Sequence, residues 1–267
     1  MSSGSGQRPG RQPEPIDAVS SRPALQLQEL DVALIVRLAS TEKRNAIDAS
    51  MVDELHEVCR KVERDPTIVI LTGQDGVFAA GADIAELRDR GRADALRGIN
   101  SGLFERIARL PLPTIAAING PAIGGGAELA YACDFRVATP LARFANPEVR
   151  LGIMPAAGAC WRLRELVGLP LARRMVLAGA TLGAQEALVA GLVDEMVEPA
   201  QLMGTALGLA ERMARAAPLA LQLTKLALAA PVDAHPRVDD LAQAVLFETA
   251  EKRQRMDEFL AGREVAQ

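Results

Sequence analysis

The chain has 267 residues, 49% of them hydrophobic and 24% charged, with a formal net charge of -4. At roughly 150 residues per domain this is one large domain or two small ones, long enough to bury a full core without metals or disulfides. The acidic balance, with aromatics at only 3%, argues against a nucleic-acid surface, which needs a basic face or base-stacking rings.

Residues 1–23 are rich in Ser, Gly, Pro and Gln. They are expected to form a disordered tail, because they bury too little surface to offset the entropy of ordering them. The fold is expected to begin near Ala24. Val32–Leu38 and Ile68–Thr72 are predicted strands, rich in β-branched residues. Between them Ile47, Met51, Leu55, Val58 and Val62 recur at helical spacing, and Asp48 or Asn45 is a candidate N-cap. A glycine-containing loop follows, then a predicted charged helix over roughly Ile84–Leu96. Pro111 and Pro113 precede a predicted strand at Thr114–Ile118, Asn119-Gly120 marks a turn, and Gly124-Gly125-Gly126 leads into a short helix. Strands alternating with helices in this way imply an α/β arrangement with crossover connections. After about residue 200 the strand signal stops. Leu202, Leu209 and Met213, then Leu219, Leu223 and Leu226, then Leu241, Val245 and Phe259 mark successive amphipathic helices. The expected organisation is a tail (1–23), an α/β core (24–200) and an all-helical C-terminal subdomain (201–267).

Three cysteines, Cys59, Cys133 and Cys160, lie far apart with no C-x-x-C, and are expected as reduced thiols of a cytoplasmic protein. With only His56 and His235, a metal site built on imidazoles is nearly excluded and a His-based triad has few ways to form. No apolar run reaches about 18 residues, and the N-terminus lacks a signal-peptide core, so no membrane association is expected.

Two loops stand out for the backbone N–H groups they expose. One is Val77-Phe78-Ala79-Ala80-Gly81-Ala82-Asp83, ending at a helix start; the other is Ile123-Gly124-Gly125-Gly126-Ala127-Glu128, also opening a helix. Small residues let a ligand approach the backbone, and a helix N-terminus offers unpaired donors. Two such donors on one oxygen form an oxyanion hole; a lone glycine triplet more often serves turns and close helix–strand packing. It is no phosphate loop, since neither G-x-x-x-x-G-K-[ST] nor G-x-G-x-x-G is present. Glu128, in the first turn after the glycines, and Glu148, in Phe144-Ala145-Asn146-Pro147-Glu148, form a pair if the chain folds back between them. One would then keep a proton near neutral pH, giving one acid and one base. Taken singly, Glu128 reads as a helix-dipole partner and Glu148 as half of a surface ion pair.

The segments F-A-A-G-A-D-I-A-E-L (78–87), I-N-G-P-A-I-G-G-G-A-E-L-A (118–130) and F-A-N-P-E-V-R-L-G (144–152), with K-R-N-A-I (43–47) and the stretch 184–194, resemble the enoyl-CoA hydratase/isomerase family, the crotonases. The likeness spans roughly residues 25–265. It implies a crotonase-like spiral of ββα units, α/β in class, with a helical C-terminal subdomain. It further implies that the N–H groups of Ala82 and Gly125 stabilise an acyl-CoA enolate. Glu128 would activate a water as base, and Glu148 would deliver the proton to the α-carbon. Lys43 and Arg44 would lie near the CoA phosphates, with two solvated loop charges as the alternative. Ala46, Ala80 and Ile84 would line the pantetheine channel, with Asp83 beside them. No metal and no cofactor are implied, coenzyme A being part of the substrate. The C-terminal helices resemble those that build homotrimers or homohexamers, with Leu246, Phe247, Met256 and Phe259 at subunit contacts or closing the CoA site. Hydration is the leading reaction, with double-bond isomerisation, thioester hydrolysis or plain acyl-CoA binding as rivals. The sequence departs from the family at Pro155–Leu163, where Ala156 and Ala159 replace common glycines. Their methyls are expected near the water or acyl chain, Cys160 is expected buried, and Trp161 is expected to pack under the helix.

Overall fold

The computed structural model describes residues 23–265, so the expected tail, apart from Pro23, lies outside the described residues. Among the described residues nine strands form two sheets. The larger takes β1 (Leu25–Glu29), β2 (Ala33–Leu38), β3 (Ile68–Gly73), β4 (Thr114–Ile118), β6 (Phe135–Ala138) and β9 (Glu195–Met196), in that spatial order. The smaller takes β5 (Pro121–Ile123), β7 (Arg143–Ala145) and β8 (Leu182–Gly183). From β2 to β9 every pair in the large sheet is parallel; only β1 runs antiparallel, on the edge. Chain order alternates between sheets at β4–β5 and β6–β7, so each step contributes one strand to each layer before a helix returns. This is the expected spiral of ββα units.

Strands of a parallel sheet are covered on both faces and read as continuous apolar runs. β2 and β3 obey this: Leu34, Val36, Val69 and Leu71 face a core shared with α1 (Ala49–Arg64), α4 (Ile99–Ala108) and α5 (Gly125–Ala132). Ala33, Ile35, Ile68 and Ile70 face the other way, onto Leu202, Ala206 and Ala210 of α8 (Leu202–Ala214). α8 thus covers the sheet, although it lies beyond the 200/201 boundary drawn from the sequence. The other elements are α2 (Ile84–Asp89), α3 (Arg92–Arg97), α6 (Arg164–Val176), α7 (Ala184–Val189), α9 (Pro218–Leu228), α10 (Arg237–Phe247) and α11 (Ala250–Val265).

One open alternative is settled and three expectations are corrected. The cap of α1 is Asp48, whose Oδ1 accepts from Met51 N at 3.0 Å, and not Asn45. The single helix expected over Ile84–Leu96 is broken: Arg90 and Gly91 are extended and Gly98 is left-handed (φ 63°), giving α2 and α3, with α4 beyond. Neither α2 nor α3 buries a residue, so no apolar stripe holds them in line, whereas α4 buries Leu103, Phe104 and Ile107. Leu241 and Val245 lie on α10 but Phe259 on α11, because the Thr249 hydroxyl accepts from Lys252 N at 3.2 Å and restarts the helix. Finally, Cys160 and Trp161 are exposed. They sit on a widened turn, Ala159–Leu163, that buries Ala159 and Leu163 and turns Cys160 and Trp161 outward, while Arg162 is half-buried.

Candidate active site

The first loop is built almost entirely from backbone bonds. Phe78 N and Ala79 N donate to Pro121 O, Ile123 N donates back to Ala79 O at 3.0 Å, and Ala80 N donates to Arg44 O. Ala79 therefore bridges to Ala122 of β5, and the loop extends the smaller sheet. Asn45, fully buried, pins the same loop through Nδ2, which donates to Val77 O at 2.8 Å. Sequence reasoning gave Asn45 no part here; its only signal was a polar residue at the head of an apolar run. Further on, Ile47 N donates to Gly81 O at 2.7 Å, and this bridge leaves the Ala82 N–H without a protein acceptor among the described residues.

The second loop meets the first at the start of α5. Gly124 has φ 53° and a conformation open to glycine alone at low cost, and a Cβ there would lie 3.0 Å from Glu148 Oε1. At Gly126 a Cβ would lie 2.3 Å from Ala79 O, so only glycine lets the two loops touch. Gly125, between them, has room for a Cβ in ordinary contact, 3.6 Å from Ala82 N. As a first-turn residue its N–H has no partner within the helix. Ala82 and Gly125 therefore lie side by side where the two loops meet, and both line one cavity.

Glu128 and Glu148 reach this same region. With Ala82 and Gly125 they line one cavity of about 540 Å³, walled by Arg90–Ser101 on one side and Gly152–Ala157 on the other. Glu128 is 3% exposed, and its Oε1 accepts from Ala157 N at 2.8 Å and Ala159 N at 3.1 Å. Ala159 thus contributes an N–H, its methyl being buried away, whereas Ala156 does line the cavity. Burial pushes the Glu128 carboxyl up to about 7 against the pull of those N–H groups. Glu148 opens a short 3-10 turn after Pro147, and its oxygens make no well-aligned hydrogen bond among the described residues. Burial raises its carboxyl as well, although the Asn146 side chain and its own backbone N–H lie near enough to draw it down in part. Tyr131 OH donates to Asn146 Oδ1 at 3.1 Å, tying α5 to the loop that carries Glu148. Two raised carboxyls beside a pair of N–H donors can polarise a carbonyl and pass a proton.

The residues expected around coenzyme A are less uniform. Lys43 Nζ lies 2.9 Å from Asp83 and 3.1 Å from Asp48, and hydrogen bonds to Asp83 and Asp48 hold its ammonium above the ordinary lysine range. Asp83 caps α2, accepting from Ala85 N at 2.9 Å and Glu86 N at 3.2 Å, so its carboxylate is engaged within the protein. With Glu86 these two aspartates form the acidic cluster among the described residues whose ligand atoms could surround a cation; Lys43 is the cation in contact with two of them. Arg44 is exposed and makes no ion pair among the described residues. Ala46 is buried, Ala80 half-buried and Ile84 exposed. Among the described residues no helix is long and apolar enough to cross a membrane.

The family profile described as Enoyl-CoA hydratase/isomerase matches residues 30–264. The chain is 36% identical over 242 residues to the short-chain-enoyl-CoA hydratase of Clostridium acetobutylicum, covering 86% of this chain and 92% of that one. It is 41% identical over 197 residues to the 2,3-dehydroadipyl-CoA hydratase of Escherichia coli, covering 73% and 77%. Among solved structures it resembles an enoyl-CoA hydratase from Bacillus anthracis, with TM-score 0.85 at 28% identity over 90% of this chain and 96% of that one.

Proposed function

The chain belongs to the enoyl-CoA hydratase/isomerase family and acts as an enoyl-CoA hydratase, and we propose that it does so with two glutamates and a backbone oxyanion hole. One observation carries the mechanism: Glu128 and Glu148 share a cavity with the unpaired N–H groups of Ala82 and Gly125. The thioester oxygen of a 2-enoyl-CoA sits between those two donors, which makes its β-carbon electrophilic. Water adds there as its proton passes to Glu128, and negative charge collects on the oxygen as an enolate. Glu148 then gives a proton to the α-carbon, and the product is a 3-hydroxyacyl-CoA. The two N–H donors on Glu128 favour it as the carboxylate. Burial raises both carboxyls, so that one proton is held between the pair near neutral pH and is available to Glu148.

For the CoA end the freer cation is Arg44, since Lys43 is held by two aspartates. The pantetheine arm is placed over Ala80 and Ile84 next to the first loop, with Ala46 beneath and Asp83 fixing the turn. For assembly, the apolar side chains Leu246, Phe247, Met256 and Phe259 line a groove of about 460 Å³ between α10 and α11. An exposed apolar surface of this kind supports a trimer or a pair of trimers. Three unpaired cysteines support a reducing, cytoplasmic location.

The test is loss of enoyl-thioester absorbance with crotonyl-CoA, for wild type beside Glu128→Gln and Glu148→Gln. Each substitution is expected to lower kcat by about 10²- to 10⁴-fold, the usual contribution of a positioned acid or base. A variant retaining wild-type turnover removes that glutamate from the mechanism. An inactive wild type that isomerises or hydrolyses acyl-CoA replaces the hydratase reading.

A further inference from the structure

α4 was not separable from its neighbours in the sequence, yet its first turn enters the active-site cavity. Asn100 lines that cavity together with Ala82, Gly125, Glu128 and Glu148. Its side chain makes no hydrogen bond to another described residue, and its Oδ1 is shielded from solvent. A Cβ built on Gly125 would lie 3.6 Å from Asn100 Nδ2, the same distance as from Ala82 N. The vacant space before Gly125 is therefore flanked by two backbone N–H groups and one side-chain NH₂. The sheltered Oδ1 is an acceptor and takes no part in holding another oxygen; the NH₂ on the same carboxamide, beside Gly125 and without a protein acceptor, is the group left to donate into the cavity. Of the groups facing this space, it is the one neutral side chain that offers two N–H donors at any working pH.

We propose that Asn100 is a catalytic residue, its NH₂ acting as a third donor to the thioester oxygen as the enolate forms. The proposal deepens the hydratase reading and rests on it for the oxygen concerned. In the ground state the carbonyl is met by Ala82 and Gly125. As charge builds on the oxygen, the adjacent amide dipole strengthens with it, which lowers the barrier to water addition and leaves substrate binding nearly untouched. No bond of the asparagine changes. It donates and retains its proton throughout.

Asn100→Leu removes the dipole at nearly constant volume, and Asn100→Asp replaces the donor with a titratable acceptor. Both are expected to lower kcat for crotonyl-CoA by at least about tenfold with KM changed by less than about threefold, the split expected of a transition-state contact. The aspartate variant should recover as pH falls and its carboxyl becomes a donor again; the leucine variant should not. A second readout needs no hydration: the ultraviolet band of the acetoacetyl-CoA enolate bound to the protein. In the leucine variant that band should need a pH about one unit higher to develop, equivalent to the tenfold loss. Wild-type kcat and an unmoved enolate band in both variants would overturn the proposal. So would equal losses in both variants at every pH with the enolate band unmoved, which mark a packing role. If the wild type hydrates nothing yet its enolate band depends on Asn100, the reaction assignment falls and the third donor stands. Should neither variant fold, Asn100→Ser supplies the same comparison.

Discussion

Replacing Glu128 with glutamine should stabilise the protein while destroying its activity. The carboxyl rises from an ordinary 4.5 to about 7 on folding, chiefly through burial. The folded chain therefore holds the proton more tightly than the unfolded one. The stability this brings is full below about 4.5 and is lost as pH rises through about 7. At about 1.4 kcal/mol per pH unit the loss reaches about 3 kcal/mol on the alkaline side. Glutamine keeps a carbonyl for the Ala157 and Ala159 N–H groups and carries no charge to desolvate. For a chain of this size about 3 kcal/mol corresponds to roughly 6–12 °C in Tm. Thermal melts of both proteins between about pH 5 and pH 8 should show a gap of that order at the alkaline end, shrinking towards zero at the acid end. The same preparations assayed on crotonyl-CoA should show the variant inactive. A gap independent of pH, or a variant less stable than wild type at the alkaline end, would refute the idea that Glu128 is held in the cavity at a cost in stability.

Three further outcomes are expected. Asp83→Ala removes the acceptor of Ala85 N and Glu86 N and should cost about 1 kcal/mol by denaturant titration, more than Lys43→Met, whose half-exposed ion pairs are worth less than about 1 kcal/mol; the reverse order would show that Lys43 has a role beyond those pairs. Gly126→Ala places a Cβ 2.3 Å from Ala79 O and should cost about 1–3 kcal/mol or more while separating the two loops, so that crotonyl-CoA turnover falls even in protein that remains folded by circular dichroism. Val245→Glu and Leu241→Glu, on the exposed face of α10, should convert a trimer to monomers in sedimentation velocity without altering the monomer's melting; a wild type that sediments as a monomer at micromolar concentration removes the assembly reading.

The parallel core was legible because both faces of its strands are covered, which writes Val, Ile and Leu in unbroken runs at Ile68–Leu71 and Ala33–Val36. β1 gave no such signal. As an edge strand it exposes Gln26, Leu27, Gln28 and Glu29 and buries only Leu25. The pairing of Glu128 with Glu148 was readable from spacing and resemblance, since both loops carry small residues on either side. The subdivision of α2, α3 and α4 was not, because the exposed charges around Arg90 and Gly91 satisfy a helix pattern without any packing to enforce it. The outward turn at Cys160 and Trp161 was hidden for another reason. It follows from Glu128 drawing in the N–H groups of Ala157 and Ala159, a contact between segments about thirty residues apart. Asn45 and Asn100 escaped for want of any local mark: each is one polar residue whose role depends on which backbone lies across from it.

The two donors of the proposed oxyanion hole belong to an alanine and a glycine. A survey that replaces each residue in turn by alanine would leave Ala82 untouched by construction. At Gly125 it would add a methyl in ordinary contact and leave the backbone N–H in place. The donors the proposed mechanism leans on most are thus silent to side-chain genetics, and an amide-to-ester exchange at either position is the chemical edit that makes them audible.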